Sequence, residues 1–229
     1  MDKYAAIVLA AGAGKRMNSS VRKQYMELAG KPVLYYSLKA FEESPVSEII
    51  LVVGAGEIEY CRQEIAEKYN FTKIKIIVEG GKERYHSVYE GLKAVKNADY
   101  VLIHDGARPF VDKDIIHRSI EAAKLYGACV TGMTVKDTIK IVDSNGFAEA
   151  TPDRSHLWQI QTPQTFFYPL IYETYQKMIA AGDSNVTDDA MVLERATGQA
   201  VKVIEGSYRN VKITTPEDLL VAEAFLTKK

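Results

Sequence analysis

An α/β fold, in which helices cover both faces of a mostly parallel sheet, is predicted by three features of the chain. Short apolar runs alternate with amphipathic helical patterns up to residue 134, as in successive βαβ units. The length of 229 residues, with 47% hydrophobic and 26% charged side chains, fits one globular domain with a substantial core. Beyond residue 134 a hairpin-like pattern replaces the alternation. We therefore expect a single domain, residues 1–229, with a β-arm inserted at about residues 135–163.

The first half of the chain supplies the strands of the expected parallel sheet. Each strand is a short apolar run followed by an amphipathic helical pattern, and right-handed crossovers should join successive strands. The strands are expected near residues 5–10, 48–53, 74–79, 100–104 and 128–134.

The arm follows the last of these strands. Residues 135–142 alternate in polarity like a strand, and Asp-Ser-Asn-Gly at 143–146 is typical of a tight turn. A less regular strand pattern runs over residues 151–163. A hairpin of this size rarely buries its apolar side chains alone, so we expect it to pair with a second subunit in a homodimer.

The chain then returns to helical patterns. Helices are expected near residues 167–181 and 187–196, a strand near 200–205, and a closing helix from Pro216 with Thr215 as its N-cap.

The composition excludes several classes of protein. A formal net charge of -1 argues against a general nucleic-acid binder. The two cysteines, Cys61 and Cys129, have no metal-ligand spacing and suggest no disulfide framework. The N-terminus lacks the pattern of a signal peptide, and the apolar run over residues 5–11 is far shorter than a membrane span. We expect a cytoplasmic protein without membrane or nucleic-acid partners.

The loop after the first strand is glycine-rich and then strongly basic. Its cations are Lys15, Arg16, Arg22 and Lys23, and no acidic residue intervenes before Glu27. Small residues let backbone N–H groups approach a phosphate chain, and the cations neutralise its charge. The loop therefore indicates a polyphosphate site, although an ordinary turn with solvated cations has the same composition.

Two better-known phosphate loops do not fit this segment. A dinucleotide-binding loop requires a third small residue where Met17 follows Gly12 and Gly14. A P-loop requires Gly at the position of Leu9 and Ser or Thr at the position of Arg16. Dehydrogenase, kinase and GTPase functions are thereby disfavoured.

Three strand ends carry unusual chemistry, and parallel strands present their carboxyl ends at one edge of the sheet. They are residues 12–23, 79–84 and 104–109. Asp105 is placed to reach a hydrated Mg²⁺ or to cap the turn that follows it. Arg108 is suited either to a phosphate or to a structural ion pair. We expect the three ends to form one crevice.

Other polar residues are ambiguous from the sequence alone. Lys212 and Arg154 are candidate phosphate ligands or ordinary surface cations, and Thr187 fits a helix N-cap region. The four histidines, His104 included, are expected to be structural. No nucleophile-elbow context is present, so a covalent enzyme intermediate is not indicated.

Taken together, eight motifs in chain order resemble the 2-C-methyl-D-erythritol 4-phosphate cytidylyltransferase family over nearly the whole chain. They are Leu9–Met17, Lys23–Tyr25, Gly80–Val88, His104–Pro109, Val135–Lys140, Gln161–Thr165, Thr187–Asp189 and Lys212–Asp218. The resemblance implies a Rossmann-like nucleotidyltransferase fold, CTP and 2-C-methyl-D-erythritol 4-phosphate as substrates, Mg²⁺ dependence, and a homodimer with exchanged arms.

The resemblance also implies roles for individual residues. Cytidine and triphosphate would be held by Ala10, Ala11, Gly12, Gly14, Gly80, Gly81, Ser87, Asp105 and Gly106. Arg16 and Lys23 would stabilise the transition state, and Arg154 and Lys212 would position the acceptor phosphate. The acceptor pocket would be lined by Asp105, Arg108, Thr138, Thr162 and Thr187, with Asp105 the metal ligand and with Thr138 and Arg154 supplied across the dimer.

Two other functions stay open at the level of sequence. A ribitol 5-phosphate cytidylyltransferase would share the fold and the CTP half of the site, although Ala11 and Gly106-Ala107 favour the erythritol substrate. A nucleotide-sensing module would bind a nucleotide in the same crevice without catalysing a transfer. The joint presence of Arg16, Lys23 and Lys212 disfavours this alternative.

Overall fold

The chain folds around one seven-stranded sheet. The structure is a computed structural model, and it describes residues 2–12, 22–182 and 185–227. The strands are β1 (Tyr4–Ala10), β2 (Glu27–Leu28), β3 (Lys31–Pro32), β4 (Glu48–Val53), β5 (Ile74–Glu79), β6 (Tyr100–Asp105), β7 (Ala128–Thr134), β8 (Ile141–Val142), β9 (Ala148–Ala150), β10 (Trp158–Phe167) and β11 (Lys202–Glu205). The large sheet has the order β11-β7-β10-β6-β1-β4-β5.

The predicted parallel sheet is confirmed. β1 pairs in parallel with β4 and β6, β4 with β5, and β7 with β11. The expected strands at 48–53, 74–79 and 128–134 have those bounds in the structure, and β1 and β6 differ from expectation by one residue each. Only β10 runs antiparallel among the seven, between β6 and β7.

Helices cover both faces of the sheet. They are α1 (Val33–Glu42), α2 (Ile58–Tyr60, continued by a π-helical turn over Cys61–Glu67), α3 (Arg84–Ala94), α4 (Lys113–Tyr126), α5 (Tyr168–Ala181), α6 (Asp189–Thr197) and α7 (Pro216–Thr227).

The side chains of β1 show how the two cores form. Ala6 and Val8 pack with Leu38 in the core that α1, α2 and α4 cover, whereas Ile7 packs with Leu92 in the core covered by α3, α5 and α6. All five side chains are fully buried. The alternation of strand side chains therefore supplies two cores from one apolar run.

The arm is smaller than the sequence predicts. The tight turn at 143–146 is present, with the Gly146 N–H bonded to the Asp143 carbonyl at 3.1 Å. The predicted strand over 135–142 is wrong except at Ile141–Val142, which pairs with Ala148–Ala150. The predicted end of the arm at 163 is also wrong, because Trp158 already pairs with Thr134 in the large sheet. The arm thus spans residues 135–157.

The last helix brings the C-terminal segment back to the sheet. Ile213 and Ala222 are fully buried with Leu28 and Val33 in a third, small core. The Ile213 N–H donates to the Ala107 carbonyl at 2.8 Å. Lys212, the preceding residue, is thereby held beside the loop that follows β6.

Candidate active site

The carboxyl ends of β1, β5 and β6 surround a first cavity of about 260 Å³. Its lining includes Leu9, Ala10, Ala11, Gly12, Lys23, Gln24, Gly81, Lys82, Arg84, Ser87, Asp105, Ala107 and Lys212. The predicted crevice is therefore present, and eight of the predicted site residues line it. Gly14 and Arg16 lie outside the described residues.

Two predicted glycines stand where a side chain would collide with the wall of the crevice. A Cβ on Gly80 would lie 2.6 Å from the Ala11 Cβ and from the Ser87 Oγ. A Cβ on Gly106 would lie 2.7 Å from a methyl carbon of Leu34 and 3.0 Å from the Leu9 carbonyl oxygen. Neither glycine lines the cavity, but each lets two segments of the wall approach closely.

Lys23 is flanked by residues that fasten the returning basic loop to the sheet. The Gln24 side-chain amide donates to the Ala10 carbonyl, and Gln24 is buried. Arg22 pairs with Glu57 at 2.7 Å and donates to the Ala11 carbonyl at 3.2 Å. The sequence reasoning missed Gln24 and Glu57, whose partners are distant along the chain.

A second cavity, of about 320 Å³, adjoins the first. It is lined by Arg84, Asp105, Arg108, Ile160, Gln161, Thr162, Gln164, Thr187, Asp188 and Lys212. Arg84, Asp105 and Lys212 line both cavities. The residues predicted for a second substrate, Arg108, Thr162 and Thr187, are therefore assembled next to the first cavity.

Asp105 is ion-paired at both of its oxygens. Its Oδ1 lies 3.3 Å from the Arg84 Nε, and its Oδ2 lies 2.7 Å from the Lys212 Nζ. Burial by itself raises the pKa of Asp105, but Arg84 and Lys212 outweigh it and hold the pKa well below its usual range. The two cations therefore favour the charged form of this carboxylate.

Arg84 is held from behind by a buried carboxylate. Its two terminal nitrogens bond to the two oxygens of Asp189 at 2.9 and 2.8 Å. Asp189 is fully buried and also accepts a hydrogen bond from the Tyr175 hydroxyl. The sequence placed Arg84 in the Gly80–Ser87 motif expected to hold the nucleotide, but gave no sign of its pairing with Asp189, which is 105 positions away.

The loop between Asp105 and Arg108 is fixed by buried hydrogen bonds. His104 lies between the Thr162 hydroxyl, at 3.0 Å, and the Arg108 carbonyl, at 3.2 Å. It is fully buried, as expected of a histidine with the predicted structural role. The Arg108 guanidinium donates to the Asn210 carbonyl at 2.8 Å, while its buried Nε has no partner among the described residues.

Two predicted site residues lie on the arm, away from both cavities of this chain. Thr138 and Arg154 lie on the arm and are exposed. Arg154 donates to the Lys136 carbonyl at 2.9 Å. The structure of one chain thus separates them from Arg108, Thr162, Thr187 and Lys212.

The described residues offer few ligands for a metal ion. Within residues 2–12, 22–182 and 185–227 there is no group of three or more His, Cys, Asp and Glu side chains arranged for a metal. Asp105 is the one carboxylate among the described residues that line the first cavity, and both of its oxygens already face cations. A single carboxylate is compatible only with a cation that takes its other ligands from substrate and water.

A cation-rich cavity at the carboxyl edge of a mostly parallel sheet, joined to a second cavity through an ion-paired Asp105, is the arrangement expected of a Rossmann-like nucleotidyltransferase. Comparisons with known proteins agree with that class and narrow it. The family model of 2-C-methyl-D-erythritol 4-phosphate cytidylyltransferase (IspD) matches residues 4–228. The chain belongs to this family, which confirms the resemblance found in the sequence.

Individual relatives are similar over almost their whole length. The 2-C-methyl-D-erythritol 4-phosphate cytidylyltransferase of Alkaliphilus oremlandii is 54% identical over 228 residues, covering 99% of this chain and 96% of the relative. That of Lachnoclostridium phytofermentans is 51% identical over 226 residues, with 99% and 97% covered. The crystal structure of 4-diphosphocytidyl-2C-methyl-D-erythritol synthase from Anaerococcus prevotii superposes with a TM-score of 0.88 at 38% identity, covering 99% of this chain and 97% of that one.

Proposed function

We propose that the protein transfers a cytidylyl group from CTP to 2-C-methyl-D-erythritol 4-phosphate. The products are 4-diphosphocytidyl-2-C-methyl-D-erythritol and pyrophosphate, within the non-mevalonate route to isoprenoids. Family membership supports the two substrates. The observation that carries the proposal is the pair of adjoining cavities that share Arg84, Asp105 and Lys212. Two anionic substrates that react with each other must meet at one point, and the shared residues mark that point.

The chemistry is a direct displacement at phosphorus. An oxygen of the acceptor phosphate attacks the α-phosphorus of CTP, and the bond from that phosphorus to the bridging oxygen of pyrophosphate breaks. The attacking phosphate is already an anion, so no general base is required. The chief obstacle is repulsion between two anions, which positioned cations reduce.

In this proposal the first cavity holds CTP and the second holds the acceptor. Lys23 and, from the basic loop, Arg16 neutralise charge that develops on the triphosphate. Arg108, whose buried Nε lacks a partner among the described residues, is suited to an anionic acceptor, with Thr162 and Thr187 beside it. Lys212 lines both cavities and positions the acceptor phosphate.

We propose that Mg²⁺ acts with CTP and is bound mainly through the triphosphate, with Asp105 as the protein's contribution. Bound there, the ion would neutralise phosphate charge and orient the leaving group. Because both Asp105 oxygens are ion-paired with Arg84 and Lys212, the metal ion would compete with these two cations for the carboxylate.

The proposed assembly is a homodimer in which each arm reaches the partner's site. Three apolar side chains of the arm are exposed to solvent: the exposed fraction is 51% for Ile141, 54% for Val142 and 73% for Phe147. Such exposure favours burial of the arm against another chain. Thr138 and Arg154 would then contact the acceptor in the partner's second cavity.

A cytoplasmic location is part of the proposal. Both cysteines are buried free thiols, as expected in a reducing compartment. In the part of the chain that the structure describes, every helix is too short or too polar to cross a bilayer.

Pyrophosphate release tests this function. The protein is incubated with CTP and Mg²⁺, and with 2-C-methyl-D-erythritol 4-phosphate, ribitol 5-phosphate or no acceptor. We expect pyrophosphate release only in the mixture that contains 2-C-methyl-D-erythritol 4-phosphate as the acceptor. Faster release with ribitol 5-phosphate would assign the other substrate, and tight CTP binding without release from either acceptor would make the protein a binding module.

A further inference from the structure

The boundary between the two cavities is formed by alternating charges. Reading from the interior, Asp189 bonds to Arg84, Arg84 to Asp105, and Asp105 to Lys212. The first member is fully buried, whereas the last is about one-third exposed at the cavity surface. The chain of charges therefore runs from the core to the place where the two substrates meet.

Three of the four members are each fixed by a different structural element. Arg84 is the first residue of α3, Asp189 is the first residue of α6, and Asp105 ends β6. The start of α6 is itself tied to β10, because the side-chain oxygen of Gln164 accepts the N–H groups of Asp189 and Ala190 at 3.0 Å each. Two helices and two strands thus define the position of one guanidinium.

We infer that Arg84 is a positioning residue for cytidylyl transfer, anchored by Asp189 and acting through Asp105 to hold the Lys212 ammonium between the two cavities. The inference rests on the proposed function. It is carried by the geometry: Arg84 donates to one oxygen of Asp105 while Lys212 contacts the other, so the carboxylate is held at both ends.

Removing the guanidinium would release one end of this arrangement. Asp105 would be free to turn both oxygens toward Lys212, and the ammonium would move with it. A displacement of about 1 Å at a reacting centre commonly costs about a hundredfold in rate. CTP binding should change little, since most of the residues that line the first cavity, including Lys23 and Ala10–Gly12, lie on other segments and remain in place.

Arg84 also has a structural role that the experiment must separate from positioning. Changing it alone leaves Asp189 charged, fully buried and without its main partner, which is strongly destabilising. The double variant Arg84→Gln/Asp189→Asn removes both charges together and leaves two side-chain amides that can hydrogen-bond to each other. This neutral pair avoids leaving a lone buried charge while removing the charge that acts on Asp105.

The test measures kcat and both KM values for the neutral pair in two backgrounds, one with Lys212 and one with Lys212→Met. With Lys212 present we expect the neutral pair to lower kcat about 10- to 100-fold and to leave the KM for CTP within about threefold. With Lys212→Met the same pair should lower kcat less than about threefold, because residues that act through one another are not additive. Arg62→Gln, an exposed arginine on the π-helical turn, is the matched control and should leave kcat unchanged.

Each other outcome is informative. An equal loss of kcat in both backgrounds, or no loss in either, overturns the inference. If the neutral pair does not fold, Arg84→Lys is measured in the same two backgrounds with the same expected pattern, because an ammonium cannot bond to Asp189 and Asp105 in the fork geometry of a guanidinium. A wild-type protein that releases no pyrophosphate overturns the proposed function and this inference with it.

Discussion

The burial of His104 makes a specific prediction about the dependence of stability on pH. Burial lowers the pKa of this imidazole to about 4; the neighbouring Asp105 and the Arg108 carbonyl favour the charged form but do not compensate. In the unfolded chain the pKa of histidine is about 6.5. Between these values the unfolded state binds a proton that the folded state does not, so the free energy of unfolding must fall as the pH falls.

The magnitude follows from the two pKa values. A difference of one pKa unit between the folded and unfolded states corresponds to about 1.36 kcal/mol. The full loss in the free energy of unfolding is therefore about 3 kcal/mol once the pH is below 4. At pH 5 the unfolded histidine is almost fully protonated and the folded one only about a tenth protonated, which gives a loss of about 2 kcal/mol relative to pH 7.5. The stability is present above pH 6.5 and is lost as the pH approaches 4.

Urea unfolding at pH 7.5 and pH 5 measures this loss. We expect His104→Gln to be less stable than wild type at pH 7.5, but to lose about 2 kcal/mol less than wild type between the two pH values. His117→Gln, which changes an exposed histidine on α4, should lose as much as wild type. If His104→Gln and wild type lose the same free energy, the buried neutral imidazole is not the cause and the reasoning is refuted.

Further predictions concern catalysis and packing. Arg16→Ala and Lys23→Ala should each lower kcat about a hundredfold or more, since one preorganised donor to developing charge is worth roughly 3 to 4 kcal/mol; near-normal pyrophosphate release by both would remove the proposed electrostatic mechanism. Arg154→Ala should mainly raise the KM for the acceptor, and a change confined to the KM for CTP would show that the residue acts elsewhere. Gly106→Val should lower both the Tm and the yield of folded protein, because its side chain would collide with Leu34 and the Leu9 carbonyl; an unchanged Tm would mean that the loop can move away.

The parallel strands were predictable because their signal is local. Each is a short apolar run buried on both faces, and three of the five expected strands have the expected bounds. The convergence of the site residues was predictable for a related reason. Asp105 ends a strand, Lys23 and Ser87 follow one in the chain, and the parallel arrangement brings the ends of these strands to one edge.

The partners of these residues were not predictable. Arg84 and Asp189 are each the first residue of a helix, an ordinary place for a charged side chain, and only the packing of α3 beside α5 and α6 brings them together. Asn210 is similar: its side chain donates to the Thr162 carbonyl at 2.9 Å across 48 positions. Pairings of this kind depend on tertiary geometry, which no local pattern encodes.

β10 shows how one strand can serve both the sheet and the site. Ile160 pairs with Gly132 and Gln164 pairs with Val130, so the three residues 161–163 stand opposite one residue of β7. A bulge of this kind releases backbone and side-chain groups from the regular ladder. The released groups find partners at the second cavity: the Gln161 amide donates to the Ser207 carbonyl at 2.8 Å, and the Thr162 hydroxyl accepts the Asp105 N–H at 3.1 Å.

The position of this bulge explains why the sequence predicted an irregular strand and misplaced it. Polar Gln161, Thr162 and Gln164 interrupt the apolar pattern, as in a solvent-exposed arm, yet all three are buried. They are polar because their partners belong to the site and to the start of α6, where Gln164 also donates to Asp188 at 3.0 Å. A central strand that deviates from the apolar pattern therefore marks the wall of the second cavity, and the deviation follows from the hydrogen bonds that this wall must make.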